Sequence, residues 1–399
     1  MTGQTMHFLS ETLDDLKHAG LLRELRRIDG MPGTIMRIGG RDCVCFCSNN
    51  YLSLAARPEV TGAAARAAEE FGCGAGASRL VSGNLAIHEQ LEAAIAKLKS
   101  RQAAILFPTG YMASVGAISA LVSSGDAVIV DKLDHASIVD GCRLSGARML
   151  VYRHCDADRL DQVLRRAASY RRKLVVTDGV FSMDGHIAPL PEIAEACSRH
   201  GAMLMIDEAH ATGVIGPSGR GTEEHFGMAE GESSEPSVVM GTLSKAVGSL
   251  GGFVAGSREL ISYLRNKARS FIYTTALPPP VCAASLAAIE LIESDPQPLE
   301  KLRKNTRLLA GLLEDVQPDG GEMVARSWAE TPIFPVQIGE AGRAVSISRE
   351  LLAAGCLCPA IRPPTVPSGT SRLRVSLQAD HTEEQIRGFA DALRRLMER

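Results

Sequence analysis

The sequence predicts an α/β fold: a large, mainly parallel seven-stranded sheet covered by helices, followed by a smaller C-terminal α+β domain. Three observations predict it. Seven short apolar runs, at 103–107, 127–130, 148–152, 173–177, 202–206, 237–240 and 252–255, alternate for the most part with helical stretches. Strand–helix repetition of this kind implies a parallel sheet covered on both faces. The 399 residues exceed one ordinary core and suggest two or three lobes. The repetition stops at Pro278-Pro279-Pro280, and the residues beyond it lack that alternation.

Taken in order, residues 5–28 read as a helix. Leu9, Leu13, Leu16, Leu21, Leu22 and Leu25 recur at roughly helical spacing, with acids early and arginines late. Residues 43–47 read as a strand, and Ser48-Asn49-Asn50-Tyr51-Leu52 as the turn after it. A helix over 58–71 has Pro58 in its first turn. A glycine-rich loop spans 72–83; it lacks the Gly-Lys-Ser/Thr of a Walker loop. Helices over 88–99, 111–121, 136–144, 157–168 and 191–200 separate the strands. Beyond the triple proline come helices over 281–294 and 298–316, then strands and two helices over 320–399. Residues 362–367, Arg-Pro-Pro-Thr-Val-Pro, form a stiff extended loop. The expected division is 1–50 for an N-terminal helix and short strands, 51–285 for the large domain, and 286–399 for the small one.

Composition excludes several classes. Hydrophobic residues make up 45%, charged residues 22%, and the net charge is −3, so neither nucleic acid nor an anionic membrane is indicated as the main partner. No run approaches the ~18 apolar residues of a membrane helix, and residues 1–17 carry no signal or transit pattern. The ten cysteines include no Cys-x-x-Cys; the alternation of Cys43, Cys45 and Cys47, and of Cys356 and Cys358, is strand spacing rather than zinc spacing. No metal site is expected, and reduced thiols fit a cytoplasmic protein.

The residues that carry chemistry come directly after apolar runs, and in a sheet of this kind ligands bind beyond the strand carboxyl ends. Lys245 lies in Thr242-Leu243-Ser244-Lys245, just before Gly251-Gly252. A lysine in such a loop is most often solvated, but it can also form a Schiff base. Asp207 ends an apolar strand, with His210 three residues on; a strand-end acid can bind a metal, cap a helix, or hold a cofactor's protonated ring nitrogen. Lysine and acid together are the pairing that pyridoxal phosphate chemistry needs. In Asp134-His135-Ala136-Ser137 the histidine can lie over a planar ring, while Asp134 suits the N-cap of the next helix; both can hold together. Thr109-Gly110-Tyr111 opens a helix whose amides can bind phosphate, with Thr242 and Ser244 able to add hydroxyls, or it is a plain turn and cap. Ser182 comes after another strand, in Val180-Phe181-Ser182-Met183-Asp184-Gly185.

With these segments assembled, the chain resembles the α-oxoamine synthases, a branch of the fold-type I pyridoxal phosphate transferases. The likeness runs from Ser48-Asn49-Asn50-Tyr51-Leu52 to Arg372-Leu373-Arg374, through Gly110-Tyr111, Asp134-His135-Ala136-Ser137, residues 179–185, Asp207-Glu208-Ala209-His210 and Thr242-Leu243-Ser244-Lys245. The resemblance implies that pyridoxal 5′-phosphate is held by the large domain, with Lys245, His135 and Asp207 catalytic. Lys245 would carry the cofactor as an imine, Asp207 would pair the ring nitrogen, and His135 would stack on the ring. His210 and Ser182 would approach the phenolic oxygen, while Gly110, Tyr111 and Thr242 would serve the pocket and phosphate. Thr275 would reach the neighbouring subunit's phosphate, making the active unit a homodimer. Arg374 would hold the amino-acid carboxylate with its guanidinium fork, near Asn49. Arg23, close to Arg26 and Arg27, would contact substrate, as would Thr365 in the proline loop. The stretch 361–374 is most similar to family members that condense L-alanine with a pimeloyl thioester, on coenzyme A or acyl-carrier protein. A sister enzyme joining glycine to acetyl-CoA, or an aminotransferase on the same fold, are the alternatives.

Overall fold

The computed structural model describes residues 6–23, 25–228, 238–316 and 330–398. The N-terminal part holds α1 (His7–His18), β1 (Ile35–Ile38), β2 (Arg41–Cys45), α2 (Pro58–Phe71) and α3 (Ala86–Leu98). The alternating region runs β3 (Ala103–Phe107), α4 (Gly110–Leu121), β4 (Ala127–Asp131), α5 (Ala136–Ser145), β5 (Arg148–Tyr152), α6 (Ala157–Arg166), β6 (Lys173–Asp178), α7 (Leu190–His200), β7 (Met203–Asp207), α8 (Thr222–His225), β8 (Val238–Thr242) and β9 (Gly252–Gly256). After it come α9 (Arg258–Lys267), α10 (Arg269–Ile272), α11 (Pro279–Ser294), α12 (Gln297–Leu312), β10 (Ile333–Gly339), α13 (Ala341–Ala353), β11 (Cys356–Leu357), β12 (Ala360–Ile361), β13 (Ser371–Ser376) and α14 (Glu383–Met397).

The first helix is shorter than the leucine spacing over 5–28 suggests. It stops at His18 because Gly20 takes a left-handed φ of 66° and the Leu21 amide reaches back to Leu16 O at 2.7 Å. That six-to-one bond and left-handed glycine close a helix. Leu25 is fully exposed beyond it, and positions 5 and 24 of the expected span lie outside the described residues. The strand expected over 43–47 ends at Cys45; Phe46 turns inward and stacks on Phe389 and His381. Helix α9, absent from the expected elements, is capped by Ser257, whose hydroxyl accepts the Leu260 amide at 3.1 Å. Residue 237 of the sixth apolar run and 320–329 of the C-terminal segment lie outside the described residues.

The central sheet has the seven strands expected, ordered β3-β9-β8-β7-β6-β4-β5. β9 runs antiparallel to β3 and β8, and the other pairs are parallel. Alternate residues face opposite layers, as strand geometry requires. Val128, Val130, Leu174, Val176 and Met205 pack with Ala117 and Ile118 of α4 on one face. Ile129, Val175, Leu204 and Ile206 pack with Leu160, Leu164 and Ile193 on the other. Both faces are therefore dry, which is why these strands read as unbroken apolar runs. Beside this sheet, β10, β13 and β12 form an antiparallel sheet, and β1, β2 and β11 a third, with β11 parallel to β2.

Strand order positions the site. The chain leaves β4 for β5 on one side and then crosses to β6 on the other. Connections diverging at such a point leave a crevice above the carboxyl ends of the two strands. No helix among the described residues is long and apolar enough to cross a membrane.

Candidate active site

A cavity of about 210 Å³ opens above the carboxyl ends of β4, β6, β7 and β8. Gly110, Tyr111, His135, Ser182, Asp207, His210, Thr242 and Lys245 all line it, so eight of the nine residues expected to hold a cofactor come together.

One wall is the start of α4. The Thr109 hydroxyl accepts the Met112 amide at 3.1 Å, capping the helix and presenting its first turn to the cavity. Free amides at a helix start attract anions. Close backbone approach builds this wall. A Cβ on Gly252 would lie 2.4 Å from Thr109 O, and one on Gly110 would lie 3.0 Å from Thr242 Cβ. Thr242 Oγ1 donates to Gly251 O at 2.8 Å and stands 2.7 Å from Ser244 Oγ.

Lys245 occupies the tight connection between β8 and β9, closed by the Leu243 amide on Gly251 O and the Gly248 amide on Lys245 O, both 2.9 Å. Burial lowers its ammonium to about 8, against the pull of Asp207 and Asp178. Burial raises the Asp207 carboxyl to about 6, opposed by Lys245 and by the Ala209 amide, which donates to Oδ1 at 2.9 Å. The site thus holds a lysine poised to lose its proton and an acid poised to keep its charge at neutral pH.

His210 links Lys245 to the rest of the site. Its Nε2 is 2.9 Å from Lys245 Nζ and its Nδ1 is 2.8 Å from Tyr51 Oη. Burial, with Lys245 and Arg374 nearby, holds it well below the ordinary imidazole range, so it is neutral and has one N–H. With Lys245 protonated, one assignment satisfies every group: Lys245 donates to Nε2, Nδ1–H donates to Tyr51, and Tyr51 donates to Asn49 Oδ1 at 3.2 Å. Once the lysine gives up that proton, the string can reverse, with Tyr51 donating to Nδ1.

Arg374, buried on β13, donates to Ser182 O, to Asn49 Oδ1 at 3.1 Å and to Tyr51 Oη at 3.2 Å. All three acceptors are neutral, so its charge is unspent. Its neighbour Arg372 is instead paired with Asp184.

Asp134 does not cap α5. Its carboxyl is taken by the amides of Asp131 at 2.8 Å and Asp178 at 3.0 Å, tying β4 to β6. The His135 ring caps the helix instead, Nδ1 accepting the Ser137 amide at 3.3 Å. That fixes the ring at the cavity wall. Burial lowers its pKa, with Lys245 adding to the effect.

Three expected residues stand apart. Thr275 is exposed and outside this chain's cavity lining. Thr365 is exposed in the proline loop, and Arg23 is exposed on the N-terminal arm. Arm and loop meet, however: Arg362 Nη2 donates to Leu22 O at 3.1 Å. Two residues to which the sequence assigned no role are central. Tyr51, fully buried, was visible only as part of the turn 48–52. Asp178 ends β6 as Asp207 ends β7, so both acids occupy the same strand-end position.

Comparison with known proteins agrees with this geometry. The family model "Aminotransferase class I and II" matches residues 41–393. An 8-amino-7-oxononanoate synthase of Anaeromyxobacter dehalogenans is 49% identical over 394 residues, 98% of this chain and 96% of that one. A serine palmitoyltransferase variant from S. paucimobilis, solved with a bound PLP–myriocin aldimine, matches at TM-score 0.88 and 33% identity, covering 99% of each chain. A crystal structure of 8-amino-7-oxononanoate synthase from Francisella tularensis matches at TM-score 0.75 and 28% identity, covering 88% of this chain and 97% of that one. The sheet order, the lysine between β8 and β9 and these full-length likenesses agree: the chain belongs to the class I and II aminotransferase family, in its α-oxoamine synthase branch, with the fold-type I architecture.

Proposed function

We infer that the chain is a pyridoxal phosphate-dependent acyltransferase of biotin biosynthesis, an 8-amino-7-oxononanoate synthase. The reaction joins L-alanine to a pimeloyl thioester and releases carbon dioxide and the thiol. The observation that carries the reading is 49% identity along 98% of the chain to a synthase of that name.

The cavity fits the cofactor. The α4 N-terminus, with Gly110, Tyr111 and the hydroxyls of Thr242 and Ser244, would take the phosphate. Asp207 would hold the ring nitrogen, His135 a ring face, Ser182 and His210 the phenolic side, and Lys245 the aldehyde carbon. The unpartnered, buried Asp178 Oδ1 shows that the polar lining is not self-satisfied. When bound, pyridoxal phosphate supplies an aldehyde that captures amines and an electron-poor ring that stabilises a carbanion beside the nitrogen.

The chain's own groups supply the rest. Arg374, fixed by three neutral oxygens, grips the amino-acid carboxylate with Asn49 beside it. Lys245, lowered to about 8, removes the proton from alanine Cα as general base and returns one after carbon dioxide has left. His210 and Tyr51 accept the reversal of the hydrogen-bond string as Lys245 gains and loses that proton. Asp207, ionised at neutral pH, holds positive charge at the ring nitrogen. Arg23 and Thr365, at the junction of arm and proline loop, contact the acyl substrate.

The working unit in this reading is a homodimer with active sites at the subunit interface, because exposed Thr275 serves the neighbouring subunit's phosphate. All ten cysteines are free, which suits a cytoplasmic enzyme. The TM-score of 0.88 to a serine palmitoyltransferase favours a second reading, serine with a longer acyl thioester.

Product identification by mass spectrometry separates the readings. Alanine, serine and glycine are crossed with pimeloyl, palmitoyl and acetyl thioesters of coenzyme A, and with pimeloyl-acyl-carrier protein. Thiol release with 8-amino-7-oxononanoate is expected from alanine with a pimeloyl thioester. Turnover confined to serine with palmitoyl thioester, to glycine with acetyl-CoA, or to pyruvate formation from alanine would overturn the assignment.

A further inference from the structure

The condensation uses Asp207 and leaves a second buried acid of the same cavity without a task. Asp178 and Asp207 are register partners at the carboxyl ends of the parallel pair β6 and β7. Such partners lie roughly 4.8 Å apart with side chains on the same face, and both line the cavity. They are 3% and 4% exposed. The Asp178 amide donates to Asp134 Oδ1 at 3.0 Å, and the His135 amide lies beside the Asp178 carboxyl and lowers its pKa. Asp178 Oδ1 is buried and has no hydrogen-bond partner. The charged and titratable groups around it are Asp131 at the end of β4, Asp134 and His135 beyond it, Asp207 on β7, and Lys245 beyond β8.

We propose that Asp178 is a positioning residue of this site: a carboxylic acid that keeps its proton, donates it towards Asp207, and holds the His135 amide. The proposal rests on the cavity being the pyridoxal phosphate site, but not on the identity of the substrates. Charge balance carries it. Ionising Asp134, Asp178 and Asp207 together would set three buried negative charges side by side, with Lys245 the cation that acts on Asp178, and unpaired buried charge is relieved by protonation. Burial and neighbouring carboxylates hold both Asp134 and Asp178 well above the usual range, whereas Asp207 rises only to about 6. Asp207 is therefore the carboxylate, and a neutral donor beside it keeps that single charge fixed in place. The ring of His135 caps α5, and in this role Asp178 would hold the same residue through its amide, which lies beside the Asp178 carboxyl. An asparagine at 178 would imitate this state, its carbonyl accepting the His135 amide and its NH₂ donating to Asp207.

The test compares the cofactor-loaded protein with Asp178→Asn and Asp178→Ala. Infrared difference spectra in heavy-water buffer at neutral pH report protonated carboxyls. Absorbance titration gives the cofactor dissociation constant and the pH midpoint of the Lys245–cofactor chromophore. Asp178→Asn is expected to remove one carboxylic-acid carbonyl band, with the dissociation constant held within about threefold and the midpoint within about half a unit. Asp178→Ala is expected to weaken cofactor binding by about tenfold and to shift the midpoint, since Asp207 and the His135 amide each lose a partner. The proposal is overturned if no carbonyl band disappears, if Asn behaves like Ala, or if Ala matches the parent. Because Asn keeps the side-chain volume, its spectrum decides the matter even if the Ala protein does not fold. A failed product assay beside these spectra would remove the substrate assignment and leave this role standing.

Discussion

Tyr51→Phe removes one oxygen from the centre of the candidate site, and the structure sets the size of the effect. Tyr51 is 0% exposed, and its hydroxyl contacts His210 Nδ1 at 2.8 Å, Asn49 Oδ1 at 3.2 Å and Arg374 Nη2 at 3.2 Å. Asn49 Oδ1 keeps a second donor in Arg374 Nη1, at 3.1 Å. His210 Nδ1 and Arg374 Nη2 have no other partner among the described residues. Each orphaned buried group costs about 1–3 kcal/mol, reduced by whatever relaxation the site permits. A net cost of about 2 kcal/mol is about thirtyfold in an equilibrium constant. It should fall on amino-acid binding, because Arg374 loses one of three tethers while the α4 N-terminus, proposed to take the phosphate, is untouched. Alanine titrated into the cofactor-loaded protein, followed by absorbance without any thioester, measures it directly. The dissociation constant for alanine is expected to rise between about tenfold and thirtyfold, with cofactor affinity changed less than about threefold. Alanine binding within about twofold of the parent would show that the string from Lys245 to Arg374 is geometric coincidence rather than coupling.

Other expectations come from single features. Lys245→Ala should lose borohydride-stable cofactor labelling at position 245 and lower turnover by roughly 10² to 10⁴-fold, the usual worth of a general base; peptide mapping that finds the label elsewhere refutes the assignment. Uptake of pyridoxal phosphate by the cofactor-free protein should accelerate as pH rises through about 8, because the unprotonated amine attacks the aldehyde and burial has lowered Lys245 to that value; stopped-flow rates flat across that range would refute it. Asp207→Asn should retain cofactor but lose solvent exchange of the alanine Cα hydrogen, since a neutral partner no longer favours a protonated ring nitrogen; deuterium exchange at the parental rate, read by NMR, would rule that out. Gly252→Ala should weaken cofactor binding without unfolding the sheet, because its Cβ would lie 2.4 Å from Thr109 O and push the α4 start away; dialysis that leaves cofactor retention unchanged would count against the phosphate wall.

Legibility in the sequence depends on the range of each interaction. The seven strands were readable because both faces of the sheet's centre are dry, so the runs are apolar through most of their length. The residues at their carboxyl ends were readable because a polar group just after such a run has one place to go. The helix over 5–28 was overextended because leucine spacing persists past Gly20, and a single left-handed residue ends a helix without disturbing the periodicity around it. Asp134 was expected to cap α5 on local chemistry, but two amides from separate strands compete for its carboxyl and win. The same limit hid Tyr51 and Asp178. Their importance lies in partners that only the fold supplies: His210, 159 positions from Tyr51, and Asp207, the register partner of Asp178 across β6 and β7. A motif reading finds side chains that meet the ligand, since each carries its chemistry in its own type. It passes over side chains whose role is to hold the first set in place, because nothing in a tyrosine after a turn or a second acid on a strand announces the partner. Substitutions at Tyr51 and Asp178 therefore test the three-dimensional arrangement itself, whereas substitutions at Lys245 and Asp207 test the family likeness as much as the structure.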